Sequence, residues 1–242
     1  LPIQYFLPNV ATFIFILYMP FYLDLSEFDG RRRSDMLRRS WLATWITWYF
    51  DCKLVKTVEL DSQCIIGVHH HGMLPFGAVT SLGTEGTKFS ELFPALVDRV
   101  VVAASSVFLV PMFRDLTLMA SVNDCNRWSF EQWLQKGTTV AVFPGGSHEA
   151  EFASPDVEML DLRRKFGFLK LSLKHNVPVV PAYTFNETDH YRQLTFPESA
   201  KKYPVYHYMR IVYHNVTGKG YRRGYIWCVC VRCGIVIGTN YI

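Results

Sequence analysis

Three consecutive histidines and a glycine, His69-His70-His71-Gly72, close the apolar run Cys64-Ile65-Ile66-Gly67-Val68. Imidazole titrates near neutrality, so such a group suits proton transfer to and from a hydroxyl, or ligation of a metal ion. Along an extended strand successive side chains alternate between faces, which puts His69 and His71 on one face and His70 on the other. Gly72 and Pro75 then end the strand, so the pair is expected where a rigid element opens into a loop. A histidine-rich surface turn is the plainer reading, but a solvated turn does not need the buried approach that residues 64–68 supply.

A second group follows the β-branched run at 138–143, where Pro144-Gly145-Gly146 leads into Ser147-His148-Glu149. Paired glycines let backbone amides come close to a ligand, so Gly145 and Gly146 are candidate donors to an oxyanion or a phosphate. A plain turn with an exposed glutamate is the alternative. The two groups reinforce each other, because α/β folds gather their sites at the carboxyl ends of strands. A third segment, 162–185, opens with Arg163, Arg164 and Lys165 before an amphipathic pattern of Phe168, Leu169, Leu171 and Leu173. A solvated basic face is the commonest meaning of that pattern, and a phosphate-binding helix start is the functional one.

The elements that must hold these groups are legible as alternating runs. Strands are expected at 53–60, 64–68, 98–104, 138–143 and 177–183, with helices at 75–82, 126–136 and 161–175. Such alternation gives an α/β fold: a single domain with a central mixed sheet flanked by helices. Ahead of it, Tyr5 to Leu23 is apolar and uncharged and just long enough to cross a bilayer, although Pro8 and Pro20 also suit a re-entrant or interfacial helix. A secretory signal and a buried core helix are the other readings of that segment. Trp41, Trp45, Trp48, Tyr49 and Phe50 make residues 34–50 an expected interfacial helix, with Arg38 and Arg39 on its polar side. The organisation expected is therefore 1–50 membrane-embedded and interfacial, 51–217 the catalytic domain, and 218–242 an atypical tail.

The net charge of +4 is mild and comes from clusters, Arg31, Arg32, Arg33, Arg38 and Arg39 among them, which favours anionic partners locally. Aromatic rings are not interleaved with these charges as a nucleic-acid platform requires, so no nucleic-acid partner is expected. The six cysteines form no secreted-type framework and read as reduced thiols. Cys230 and Cys233 make one CxxC without a second pair, and Asn186 and Asn215 open glycosylation sequons that matter only in a lumen.

Read in order, these segments resemble the type-2 diacylglycerol acyltransferase family, which includes monoacylglycerol and wax alcohol acyltransferases. The family's HPHG signature is matched by His69-His70-His71-Gly72, with histidine in place of proline. Its PGG turn closed by glutamate is matched by Pro144 to Glu149, and its basic RKGF-type segment by Arg163 onward. The FGE-type turn reads Phe185-Asn186-Glu187. Residues 218–242 depart from the family's C-terminal region, which is expected to run on further.

The resemblance implies acyl transfer from acyl-CoA to the hydroxyl of a mono- or diacylglycerol or a long-chain alcohol, at the endoplasmic reticulum membrane with lipid-droplet association. It implies no metal and no cofactor, acyl-CoA being a co-substrate. His71, with His69 as the lesser choice, is the expected general base, oriented by Glu149. Gly72, Phe76, Gly145, Gly146, Arg163, Arg164 and Lys165 are the expected substrate contacts, with Phe76 on the acyl passage. The lipid bilayer is an expected partner, and an oligomer is left open. Two other classes compete. A metal-dependent hydrolase could chelate zinc through His69 and His71, although Met73 and Leu74 stand where further ligands would be needed. An inactive lipid-binding relative is the second.

Overall fold

The computed structural model describes residues 3–69, 75–146, 149, 165–185, 187 and 227–230, with backbone alone for 3–9, 11 and 227–230. Its strands are β1 (Lys53–Val55), β2 (Ile65–His69), β3 (Arg99–Ala103), β4 (Val122–Asp124), β5 (Thr139–Val142), β6 (Val179–Phe185) and β7 (Trp227–Cys230). Its helices are α1 (Ile3–Tyr22), α2 (Ser26–Asp29), α3 (Asp35–Arg38), α4 (Trp41–Tyr49), α5 (Phe76–Ala78), α6 (Phe89–Leu92), α7 (Phe113–Met119), α8 (Arg127–Gln135) and α9 (Gly167–His175). Wider π-helical turns over Val79–Gly83 continue α5.

Period-two alternation sorts the strand side chains into two layers. Ile65, Val100, Val102 and Val140 pack with Phe130, Trp133 and Leu134 of α8 and Leu171 of α9. Ile66, Val68, Val101, Ala141, Val180 and Ala182 pack on the other face with Ala78, Leu82, Phe89 and Leu118. Because helices cover both faces, the central strands are near-continuous apolar runs, as buried parallel strands must be. The strand order is β1-β7-β6-β2-β5-β3-β4. All neighbours run parallel except β6 and β7, which are antiparallel. β7 comes from the segment set apart as an atypical tail, and it lies between β1 and β6.

The aromatic stretch 34–50 forms two helices. Ser34 accepts from Leu37 N–H at 3.2 Å and Ser40 from Ala43 N–H at 3.3 Å, so each serine caps its own short helix. The arginines read as an anionic-partner cluster are largely engaged within the chain. Arg38 is buried and donates to the Gly83 carbonyl at 2.7 Å; Arg31 pairs with Asp29, Arg32 with Asp24 and Asp115, and Arg33 with Asp98. Sequence proximity grouped these charges, but the turn between α2 and α3 sends Arg31, Arg32 and Arg33 to different carboxylates, and α3 carries Arg38 into the interior.

The end of α1 is fastened to α7 and the segment before it. Buried Arg114 donates to the carbonyls of Phe21 and Asp24 and to the Asp24 and Glu27 carboxylates. Tyr18 bonds Asp115, and Tyr22 donates to the Leu109 carbonyl at 2.8 Å. Among the described residues no helix is long and apolar enough to cross a membrane. α1 nevertheless exposes Phe13, Ile14, Phe15, Ile16, Leu17 and Phe21, and Leu109, Met112 and Leu116 are exposed on the segment it is fastened to.

Candidate active site

Adjacent strands bring two of the three sequence groups to one edge of the sheet. β2 and β5 are parallel neighbours with Gly67 opposite Val142, so His69 extends level with Pro144 beyond the end of β5. Gly67 presents a bare surface flanked by both. A Cβ there would stand 3.8 Å from the Pro144 ring and 3.9 Å from His69 Nε2. On the other side β6 places Tyr183 opposite His69, and the Tyr183 ring packs on Phe185 with centroids 4.7 Å apart. By alternation His69 lies on the α8 and α9 face of the sheet and is half-buried.

The two glycines of the PGG turn differ in what they permit. Gly146 has φ +56, in the left-handed region, and its N–H donates to the Phe143 carbonyl at 3.1 Å. Its amide is therefore part of the turn itself. Gly145 is required for space: a Cβ there would meet Glu149 Oε2 at 1.9 Å and Glu149 Cβ and Cδ at 2.5 Å. The Glu149 side chain thus lies directly against the Gly145 Cα and is only 2% exposed. The alternative of a plain turn with an exposed glutamate is set aside; the carboxylate is folded back into the protein.

His71 and Gly72, with His70, Met73 and Leu74, lie outside the described residues, as do Ser147, His148, Arg163 and Arg164. Lys165 is exposed immediately before α9, whose start carries no side-chain cap. Phe76 opens α5 and stacks on Phe50, with ring centroids 5.4 Å apart and planes at 16°. Phe50 packs against the layer of Ala78 and Leu82, so Phe76 stands with the layer opposite the face that His69 shares.

One buried group was named from sequence only as the end of the FGE-type turn, with no role given to it. Glu187 is fully buried two residues beyond the end of β6, and Gly77 N–H donates to its two carboxyl oxygens at 3.1 and 3.2 Å. Burial pushes this carboxyl up to about 8, against the lowering effect of hydrogen bonds from the Gly77, Phe76 and Ala78 amides. The only sequence signal was its place in the aromatic turn after β6. Burial also pushes the thiols of Cys52 and Cys64 up to about 12, which keeps both protonated near neutrality and unsuited to nucleophilic catalysis.

Together these features define an α/β chain with a mostly parallel sheet, whose histidine strand and glycine turn leave at one carboxyl edge. The comparisons give the family. A family model described as Diacylglycerol acyltransferase matches residues 4–237, and the chain belongs to that family. The match runs into the segment that the motifs had set apart as an atypical tail. Among curated proteins, the chain is 35% identical over 173 residues to human 2-acylglycerol O-acyltransferase 3, covering 69% of this chain and 50% of that protein. It is 33% identical to mouse acyl-CoA wax alcohol acyltransferase 1, covering 72% of this chain and 54% of the relative. A diacylglycerol O-acyltransferase of Schizosaccharomyces pombe is 31% identical over 211 residues, 86% of this chain and 60% of the relative. The chain thus spans about half the length of most of these curated relatives. No solved structure matches.

Proposed function

We propose that this chain carries the acyl-transfer site of a membrane-bound acyltransferase, moving a fatty acyl group from acyl-CoA to the hydroxyl of a mono- or diacylglycerol. The observation that carries the reading is the meeting of His69 and the Pro144-Gly145 turn at neighbouring strand ends, in a chain of this family. His71 takes the proton of the acceptor hydroxyl as its oxygen attacks the thioester carbonyl. The tetrahedral intermediate then collapses, the C–S bond breaks, and the imidazolium returns the proton to the CoA thiolate. General-base assistance of this kind contributes about 10²–10⁴-fold.

Glu149 orients the histidine loop from the adjoining strand end. The oxyanion contact falls to the Gly145 amide, since the Gly146 amide is engaged with Phe143. Arg163, Arg164 and Lys165 meet the CoA phosphates, while Gly72 and Phe76 contact the lipid substrates. The names of the relatives, which act on 2-acylglycerols, diacylglycerols and wax alcohols, support a long-chain hydroxyl acceptor. The exposed apolar side chains of α1 and of Leu109, Met112 and Leu116 support a bilayer as the place where that acceptor is met, in the endoplasmic reticulum membrane. The test is labelled oleoyl-CoA with an acceptor panel on microsomes expressing the chain, beside His71→Ala. Acylation lost with His71 supports the reading; acylation untouched by the substitution, or stoichiometric zinc with hydrolysis in its place, overturns it.

A further inference from the structure

We propose that α4 lies in the headgroup layer of the bilayer, with Trp41, Trp45, Trp48 and Tyr49 facing lipid. The inference rests on the membrane-bound reading above and adds a second contact to the apolar surface named there. Spacing puts these four rings, at i, i+4, i+7 and i+8, on one side of a helix. Trp41 and Trp48 are 77% and 75% exposed and Trp45 and Tyr49 about half, whereas the residues turned inward are Ala43 and Thr47. The helix therefore shows its largest apolar groups to the outside and its smallest to the interior, the reverse of a helix whose outer face meets water.

Packing fixes that orientation. A Cβ on Gly86 would meet the Ala43 carbonyl oxygen at 2.7 Å and Thr47 Oγ1 closer still, so α4 sits too near this backbone to turn an indole toward it. Ser40 caps its start, buried Arg38 precedes it, and beyond its end Cys52 N–H donates to the Thr47 carbonyl at 2.8 Å. Chemistry names the lipid interface as what covers the face. α4 carries no charge, and indole and phenol rings, apolar with one polar edge, settle at headgroup depth. Its nine residues make a helix of about 14 Å, which cannot cross a hydrocarbon core of about 30 Å and so lies along its surface. The exposed Leu116 of α7 and Met36 of α3 continue the apolar surface, α3 packing against both α7 and α4. From the face inward, Trp45 stacks on Tyr49 at 5.5 Å, Tyr49 meets Phe50 edge-on at 5.0 Å, and Phe50 stacks on Phe76. An unbroken run of rings thus leads from α4 to the proposed lipid contact.

The experiment reconstitutes the full chain in phosphatidylcholine vesicles brominated either near the headgroup or near the chain end, and reads tryptophan emission without substrate. α1 has no tryptophan, so its insertion is silent, and α4 holds three of the six in the chain. Bromine near the headgroup is expected to quench more than bromine near the chain end. Trp41→Phe, Trp45→Phe and Trp48→Phe combined keep an apolar face and are expected to cut the quenched emission by at least about twofold. Trp128→Phe, on α8 and so on the layer opposite the π-helical turns that α4 meets, is expected to leave it unchanged. Should the triple variant fail to insert, the three single substitutions take its place, each expected to lower the quenched emission. Wild-type emission untouched by bromine, quenching strongest from the chain end, or quenching unchanged by loss of the indoles overturns the proposal. So does shielding from aqueous acrylamide without quenching by lipid, which gives the face to a second copy or another protein. Absent acyl transfer with quenching intact points instead to failure of the acyl-transfer reading.

Discussion

Replacing Gly145 with alanine tests the PGG turn at its tightest point. The new Cβ would stand 1.9 Å from Glu149 Oε2 and 2.5 Å from Glu149 Cβ and Cδ. Favourable contacts between such atoms begin near 3.5 Å, so the overlap is about an ångström at two atoms and larger at the third. Rotating the carboxylate relieves only the contact at its tip; the clash with Glu149 Cβ forces the backbone between the two residues to move. Glu149 is 2% exposed, so a displaced carboxyl does not simply enter water. Overpacking of this kind costs about 1–3 kcal/mol, and disturbing a buried polar group adds about 1–3 kcal/mol. Gly146→Ala is the control. Its Cβ meets nothing within 4 Å, and the penalty is that of φ +56, about 1–2 kcal/mol. The expectation is a loss of acyl transfer of about 10²-fold in Gly145→Ala, from displacement of a site group by an ångström or more, and a milder loss in Gly146→Ala. Turnover on labelled oleoyl-CoA and thermal melts of the two variants read this out. Wild-type turnover in Gly145→Ala would refute the packing argument.

Other consequences follow from groups buried at a distance from the histidines. Arg99 is 1% exposed and donates to the Leu82 and Thr84 carbonyls and to half-buried Glu85, so Arg99→Met leaves two buried carbonyls without their donor and is expected to cost about 1–3 kcal/mol for each, measured by chemical denaturation in detergent. Unchanged stability would count against this buried network. Glu187 has its folded value raised to about 8 from 4.5 by burial, so the folded state keeps a proton that the unfolded state releases. Its contribution is whole below the unfolded value and declines as pH rises from about 4.5 through 8, by at most about 1.4 kcal/mol per unit. Melts from pH 5 to 8 are expected to slope downward in wild type and to flatten in Glu187→Gln; parallel slopes would exclude the shift. Leu109, Met112 and Leu116 are 56%, 75% and 55% exposed, and replacing all three with serine is expected to lower recovery on floated phospholipid vesicles without lowering the melting temperature. Equal flotation would remove this segment from the bilayer contact.

The central sheet was legible because β2, β3 and β5 are apolar runs ended by glycine, proline or charge, and helix covering on both faces demands that pattern. β4 escaped notice because it is three residues long and two of them, Asn123 and Asp124, are polar side chains buried only by the fold. β7 lies in residues 218–242, which were set apart because they depart from the family's C-terminal region. Pairing of β1 with a strand more than 170 positions later is a long-range choice that local patterning does not encode. At the site, sequence reasoning set the histidine run and the PGG turn each at the end of a strand; that the two strands are neighbours, with His69 level with Pro144, comes from the structure. The same reasoning could not tell a glycine kept for its amide from Gly145, which is kept for the room its missing side chain gives Glu149. Nor could it show that Glu187, read only as the end of the FGE-type turn, is buried against Gly77, 110 positions away.

The most direct test of the account is transfer of label from oleoyl-CoA to a mono- or diacylglycerol by microsomes carrying wild type or His71→Ala at matched expression. The account predicts labelled neutral lipid from wild type and a loss of about 10²-fold or more without the imidazole. Label absent with every acceptor, or label undiminished in His71→Ala, would contradict it.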